Sequence, residues 1–144
     1  MVNAIWFDMD GTIADLYGVN GWLDYLNNHN ATPYRNATPL VNMSRLARLL
    51  HKAQRNGYTV NIVSWLARNS TADYDEEVAT AKREWLAKHL PSVKWNEIEI
   101  VAYGTPKGTI GNGILFDDEE HNRNEWGEGA FPPSEIFSIL RSLS

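Results

Sequence analysis

Apolar and polar residues alternate along the chain in a pattern that predicts strands and helices in turn. Short apolar runs predict four β-strands, at 4–7, 58–63, 98–102 and 114–116. Apolar residues at helical spacing predict three helices, at about 22–28, 43–55 and 73–90. Gly57 and Pro91 suit the ends of the second and third helices, and we expect Ser134 to cap a closing helix. This order predicts an α/β fold with a parallel sheet covered by helices.

One stretch of the chain breaks this alternation. Residues from about 16 to 42 are rich in Asn, Tyr, Thr and Pro. We interpret them as a small insertion between core elements and not as a separate domain. The sequence therefore predicts one domain, with a core formed by 1–15 and 43–144.

Polar residues follow three of the predicted strands at the point where each strand ends. Asp8 follows the first, Ser64 the second and Asp117 the fourth. In open α/β sheets, ligands bind at the edge where the strands have their carboxyl ends. The pattern therefore predicts a ligand site at this edge.

The first motif is Asp8-x-Asp10-Gly11-Thr12, directly after an apolar strand. A carboxylate such as Asp8 is ionised at neutral pH and can attack phosphorus to form an aspartyl-phosphate. Asp10, two residues further on, can protonate the leaving alkoxide and later activate water. Gly11 permits a sharp turn, and the Thr12 hydroxyl can orient the loop. The motif predicts phosphoryl-transfer chemistry.

The acidic run Asp117-Asp118-Glu119-Glu120 also follows an apolar strand. If the first and fourth strands are neighbours, this run lies close to Asp8. Four adjacent acids repel one another unless a cation or solvent offsets their charge, and carboxylate oxygens with water and phosphate suit Mg²⁺. We therefore expect a magnesium site here, formed with Asp8. Ser64 and Lys107 could bind the phosphate group through a hydroxyl and a positive charge.

Taken in order, these motifs resemble the four motifs of the haloacid dehalogenase superfamily. Within it, the chain resembles the 5'(3')-deoxyribonucleotidase-like group and its short phage-type members. Three further segments carry that narrower resemblance: Lys82-x-x-Trp85-Leu86 with Leu90-Pro91, Tyr103-Gly104-Thr105-x-Lys107, and Asn122-x-x-x-Trp126 after the acidic pair. The resemblance implies a Rossmannoid three-layer α/β/α fold with a mostly parallel sheet and a small cap after the first strand.

The resemblance also implies roles for single residues. Asp8 is then the nucleophile and a metal ligand, and Asp10 is the acid and base that binds Mg²⁺ through its carbonyl. Asp118 rather than Asp117 is then the direct third ligand, with Asp117 in support, and Ser64 and Lys107 bind phosphate. Lys82 competes with Lys107 for the lysine role, but we expect the middle of a helix to be a poorer place from which to reach phosphate. Ser64-Trp65 stands where relatives often carry Thr or Ser followed by a small residue, and the cap is short, so substrate choice stays open.

The expected substrate is a small phosphomonoester, above all a nucleoside or deoxynucleoside monophosphate. The residues that could contact its base are Tyr17, Trp22, Tyr34, Arg35 and Trp65. Two alternatives stay open: a phosphatase for polynucleotide ends, and a non-enzymatic phosphoacceptor or binding module such as a receiver domain. Receiver domains place the phosphorylated Asp in mid-chain after an early acidic pair, which is the reverse of the order found here.

The composition of the chain limits the classes of partner and metal site that we expect. The chain has no Cys, which excludes disulfides and thiolate metal sites. Its net charge of −5 argues against general affinity for nucleic acid, and we expect the basic residues Arg45, Arg48, Lys52 and Arg55 to form a solvated helix face. The first residues do not follow the pattern of a signal peptide, and no apolar run is long enough to span a membrane. We therefore expect a cytoplasmic protein without a membrane partner.

Overall fold

A sheet of five strands, each parallel to its neighbours, forms the centre of the molecule. The computed structural model describes residues 3–143. The strands of this sheet are β1 (Ala4–Phe7), β4 (Thr59–Trp65), β5 (Glu97–Val101), β6 (Ile114–Phe116) and β7 (Ala130–Phe131). Their order is β5-β4-β1-β6-β7, so β1 lies in the middle between β4 and β6. The pairing of β1 with β6 is the neighbour relationship that the site prediction required.

Helices cover both faces of this sheet. The α-helices are α1 (Trp22–Asn27), α2 (Thr32–Asn36), α3 (Met43–Arg55), α4 (Ala72–His89), α5 (Glu120–Trp126) and α6 (Ile136–Ser142). Buried residues of α3, α4 and α6 pack with Ile5 and Phe7 of β1 in the larger core cluster. Trp126 of α5 packs on the opposite face with Trp6. The predicted three-layer α/β/α fold is therefore confirmed.

The sequence of α3 explains both its ends and its packing. The side chain of Asn42 accepts a hydrogen bond from the Arg45 amide, which satisfies a free N–H group of the first turn. Leu46, Leu50 and Ala53 form the buried face. Gly57, with φ +92°, lets the chain reverse direction and enter β4. The predicted bounds of this helix are confirmed.

The stretch between β1 and α3 contains more structure than its composition indicates. It includes the predicted α1, the unpredicted α2, and a two-stranded antiparallel pair, β2 (Ala14–Asp15) and β3 (Thr38–Pro39). Tyr34 of α2 packs with Tyr74 and Val78 of α4 in a second, smaller cluster. The stretch therefore rests on α4, next to the carboxyl edge of the sheet.

The carboxyl end of the chain differs from the prediction. Ser134 does not cap the closing helix, because it lies within a 3₁₀ turn at Pro133–Glu135 and α6 begins only at Ile136. The ring of Pro133 fixes φ near the value that this tight turn needs. Helix α5 and strand β7 were not predicted from the sequence. Within residues 3–143, no helix combines the length and apolar character needed to cross a membrane.

Candidate active site

Asp8 lies at the carboxyl end of the central strand, where the chain leaves the sheet. Its side chain is almost completely buried. One carboxylate oxygen, Oδ1, accepts a hydrogen bond from the ammonium of Lys107 at 3.0 Å, and the other, Oδ2, accepts one from the Thr12 hydroxyl at 3.0 Å. Both oxygens of the predicted nucleophile are therefore held in place by fixed donors.

The loop after Asp8 brings the two acidic motifs together. Gly11 has φ +80°, and a Cβ atom at this position would collide with the carboxylate of Asp118. Only glycine therefore fits both the backbone angle and the space. Thr12 is buried, and its hydroxyl accepts a hydrogen bond from the Asp118 amide at 3.1 Å. The predicted roles of Gly11 in the turn and of Thr12 in orienting the loop match this geometry.

Asp117 and Asp118 follow β6 and lie beside Asp8, but their surroundings differ. Asp117 is fully buried, and its carboxylate accepts hydrogen bonds from Lys107 at 2.7 Å, the Glu119 amide at 3.0 Å and Asn122 at 3.2 Å. Asp118 is more exposed and points toward Gly11 and Thr12. Asp117 is thus occupied by protein donors, whereas Asp118 keeps oxygens available for a ligand.

The three carboxylates repel one another, and the Lys107 ammonium offsets this repulsion only in part. Burial, followed by the nearby charge of Asp8, raises the pKa of Asp117 from 3.8 to about 6, although Lys107 opposes the rise. Burial and then Asp8 raise the pKa of Asp118 to about 7. One oxygen from each of Asp8, Asp117 and Asp118 lies within 4.8 Å of the other two. Carboxylate oxygens are hard ligands, and a group of this kind fits the preferences of Mg²⁺.

Lys107 supplies the positive charge closest to the nucleophile. It lies in a short 3₁₀ turn at Lys107–Thr109 and is almost completely buried. Burial by itself lowers the pKa of the ammonium, but Asp8 and Asp117 outweigh this and raise the pKa above its ordinary value. Lys107 therefore stays charged beside Asp8.

Lys82 also reaches the site, contrary to our expectation for a residue in the middle of a helix. Its side chain is buried on the inner face of α4, and its ammonium donates to Oδ2 of Asp10 at 2.9 Å. It also donates to the Ser64 hydroxyl and to the Trp65 carbonyl, the latter at 2.8 Å. The expectation was wrong because it considered the position of the backbone and not the length of the lysine side chain, which spans the gap from helix to sheet edge.

Asp10 differs from Asp8 in its environment. Burial raises the pKa of the Asp10 carboxyl above its ordinary value, the Lys82 ammonium opposes that rise, and the charge of Asp8 adds to it. A carboxyl with a raised pKa holds its proton more readily, which is what a general acid requires. The two carboxyls of the first motif therefore have environments that suit different roles.

A cavity of about 780 Å³ opens above Asp8 and Asp10 toward the inserted stretch. Four of the five predicted specificity residues line it, namely Tyr17, Trp22, Tyr34 and Trp65. The indole N–H of Trp65 donates to the Thr105 carbonyl at 2.8 Å, which fixes the ring within 5.3 Å of the Lys107 ammonium. The fifth, Arg35, is not among the residues that line the cavity, and its side chain pairs with Glu84 at 3.2 Å. Tyr34 and Arg35 are adjacent in α2, so their side chains leave the helix about 100° apart and only one can face the cavity.

Several residues that the sequence analysis missed also line the cavity, among them Leu23, His29, Arg68, Tyr103 and Asn122. Arg68 lies over the Tyr103 ring at 5.4 Å, and the Tyr103 ring lies 5.0 Å from that of Trp65. Arg68 and Tyr103 come from the segments after β4 and β5, which end at the same edge of the sheet. That shared edge was the available signal; Tyr103 also stands in the Tyr103-Gly104-Thr105-x-Lys107 segment, whereas no motif marked Arg68.

No protein-family model matches the chain, and no curated protein matches it. Its structure is similar to the crystal structure of D,D-heptose 1,7-bisphosphate phosphatase from Burkholderia thailandensis, with a TM-score of 0.56 and 10% sequence identity over 97% of each chain. At this identity the likeness shows the fold. It agrees with the predicted haloacid dehalogenase-like architecture and leaves the narrower deoxyribonucleotidase-like resemblance as a prediction.

Proposed function

We propose that the protein is a magnesium-dependent phosphomonoesterase that works through an aspartyl-phosphate on Asp8. One observation carries this proposal: Asp8 is held between a buried lysine, Lys107, and a hydroxyl, Thr12, beside two further carboxylates that could hold a metal ion together with it. The likeness to a phosphatase structure supports the same class of reaction.

The first half-reaction follows from the two environments of the motif. An oxygen of Asp8 forms a bond to phosphorus while the bond from phosphorus to the leaving oxygen breaks. Asp10 gives its proton to the departing alkoxide, and its raised pKa favours the protonated form needed at that moment. Lys107 offsets the negative charge on the transferring group.

The second half-reaction restores the enzyme. Asp10, now ionised, accepts a proton from a water molecule, whose oxygen attacks the aspartyl-phosphate. The bond between phosphorus and the Asp8 oxygen breaks, inorganic phosphate leaves, and Asp10 is again protonated. Mg²⁺, held by Asp8, Asp118 and the Asp10 carbonyl with Asp117 in support, would neutralise the phosphoryl oxygens and orient them for in-line attack.

The substrate we propose is a nucleoside or deoxynucleoside monophosphate. The cavity is large enough for a nucleotide, and its aromatic residues Tyr17, Trp22 and Trp65 offer faces for a base. Lys107 lines the cavity and contacts Asp8, and we propose that it binds the phosphate together with Ser64, which does not itself line the cavity. Ser64 is buried and held by Lys82, so its hydroxyl has a fixed position.

The test is to isolate the covalent intermediate. Enzyme with Mg²⁺ and a nucleoside monophosphate labelled in the phosphate is quenched in acid within milliseconds, and the label is mapped by mass spectrometry after digestion. We expect label on the peptide that contains Asp8 and release of one phosphate per turnover. Turnover with label on another residue, or with no label at any quench time, would contradict the mechanism.

A further inference from the structure

A second concave surface lies on the outer side of α3 and α6, apart from the elements that carry the site. It is a groove of about 430 Å³. Six basic side chains line this α3–α6 groove: Arg45, Arg48, His51, Lys52, Arg55 and Arg141. The only other lining residue is Leu49, and no Asp or Glu among residues 3–143 lines the groove.

The charge of this surface is opposite to that of the whole chain. The protein has 13 Lys and Arg residues against 18 Asp and Glu, yet five of the 13 line this one groove. Neither α3 nor α6 contains an acidic residue. Helix α4 differs, because it mixes acids such as Asp75 and Glu84 with its bases. The net charge of −5 therefore conceals a strongly positive region.

The exposed cations of α3 lack acidic partners among residues 3–143. Arg48, Lys52 and Arg55 are exposed and form no ion pair with any carboxylate in the described part of the chain. Like charges three or four residues apart on a helix repel one another. A solvated helix face would usually intersperse acids to relieve that repulsion, as α4 does. The arrangement instead favours a ligand that brings its own negative charges.

The shape of the groove indicates a linear ligand. The guanidinium of Arg45 lies over the Phe137 ring of α6 at 4.3 Å, which fixes one end of the groove. From Arg45 to Arg55 the helix rises about 15 Å. Four cations, those of Arg45, Arg48, Lys52 and Arg55, lie along that length, about one for each turn of the helix. The row of cations therefore suits a linear chain of phosphates, such as a polynucleotide backbone.

We propose that the α3–α6 groove binds the phosphate backbone of a polynucleotide without reading its sequence. A flat membrane surface would not enter a concave groove, and the one apolar residue that lines it, Leu49, is half-buried. The groove offers cations and no stacking platform for bases, so affinity depends on phosphate contacts. The proposal does not depend on the phosphatase reaction.

The test uses an oligonucleotide of twenty thymidines, fluorescently labelled and without terminal phosphates, so that hydrolysis plays no part. Binding to the full-length protein is measured by anisotropy at 50 and 200 mM salt. With four phosphate contacts to a single strand, the affinity should fall roughly fifty-fold over that range. The double variant Arg48→Ala with Lys52→Ala should bind about tenfold or more weakly at 50 mM salt and show a shallower salt dependence.

The matched control is Lys88→Ala with Lys94→Ala, which makes the same change in net charge at exposed positions outside the groove. It should bind as the wild type does, and thermal unfolding should show that both variants fold. Equal weakening in the groove and control variants would overturn the proposal, as would no binding at 50 mM salt. Groove-dependent binding to vesicles containing phosphatidylserine, without binding to the oligonucleotide, would assign the groove to a membrane instead.

Discussion

The ammonium of Lys82 lies 2.9 Å from Oδ2 of Asp10 and also bonds to the Ser64 hydroxyl and the Trp65 carbonyl. A single buried cation thus connects the proposed general acid to the strand that carries a proposed phosphate ligand. Asp10 has no other side-chain partner in the ion pairs and hydrogen bonds of residues 3–143. Its orientation therefore depends on Lys82.

This dependence gives a prediction for Lys82→Met, which keeps the length of the side chain and removes the charge. Without its partner, Asp10 should protonate the leaving group poorly, and kcat for a nucleoside monophosphate should fall by about 10²-fold or more. For p-nitrophenyl phosphate, whose leaving group needs no proton, the loss should be much smaller. Equal losses for both substrates would assign Lys82 to phosphate binding instead. Lys88→Met, on the exposed face of the same helix, is the control.

The nucleophile prediction concerns Asp8→Asn. The amide oxygen can still accept from Lys107 and the amide nitrogen can donate to Thr12, so we expect the fold to be kept. Turnover should fall by at least about 10³-fold, because an amide does not form the phosphorylated intermediate. Phosphate release and circular dichroism measure the two effects. Asp24→Asn, the same change at an exposed position on α1, should retain full activity.

Removal of divalent ions should silence the enzyme, and added Mg²⁺ should restore it. Substitutions of the two adjacent aspartates should then have different effects on metal affinity and on stability. Asp118→Ala should weaken metal affinity more than Asp117→Ala, for which we expect a loss of about tenfold as a supporting residue. Asp117→Ala should instead lower the free energy of unfolding by about 3 kcal/mol, because it removes a buried partner of Lys107. Calorimetric titration with Mg²⁺ and thermal unfolding provide the two measurements. The opposite order of metal affinities would exchange the two assignments, and full activity in excess chelator would contradict the metal role.

The raised pKa values of Asp117 and Asp118 predict how the metal-free protein responds to pH. Both carboxyls hold protons in the folded state up to about pH 6 and 7, whereas their ordinary value of 3.8 applies after unfolding. Between about pH 4 and 7 the folded state therefore binds more protons, and its stability should fall as the pH rises. Thermal unfolding in chelator should show this decline, and Asp118→Asn should reduce it. A stability difference between wild type and Asp118→Asn that does not change with pH would contradict the assignment.

The helices and strands that the sequence predicted best are those with long regular patterns. Helix α3 has an Asn cap, a clear apolar face and a closing glycine, so its bounds could be predicted residue by residue. Helix α5 was missed because its first turn lies within the acidic run that we interpreted only as a metal site. Its signal was present in Asn122 and Trp126, four residues apart, with Gly127 after them.

The site residues that could be predicted are those whose location follows from their position along the backbone. The features that could not be predicted depend on the direction in which a side chain points. Asp8 and Asp117 follow directly from strand ends, because parallel strands share an edge. The contact of Lys82 with Asp10 joins positions 72 residues apart and depends on the rotation of α4, which local sequence does not determine. The position of Arg35 outside the cavity has the same cause, because its neighbour Tyr34 is the residue of α2 that faces inward.

The last prediction concerns the substrate. Mg²⁺, Lys107 and Ser64 would attract any phosphoryl group, so selectivity must come from contacts with the leaving group. In the cavity those contacts are aromatic, from Tyr17, Trp22 and Trp65, and stacking of a base contributes about 1–3 kcal/mol. We therefore expect nucleoside monophosphates to be hydrolysed with a kcat/KM about tenfold or more above that of sugar phosphates, and above that of phosphorylated oligonucleotides, with weak salt dependence. Trp65→Ala should reduce the preference over sugar phosphates, whereas Arg35→Ala, outside the cavity, should leave it unchanged. A preference for oligonucleotide ends that disappears with added salt would support a polynucleotide-end phosphatase. If the Arg48→Ala with Lys52→Ala variant also lost this preference, the α3–α6 groove would be linked to that activity.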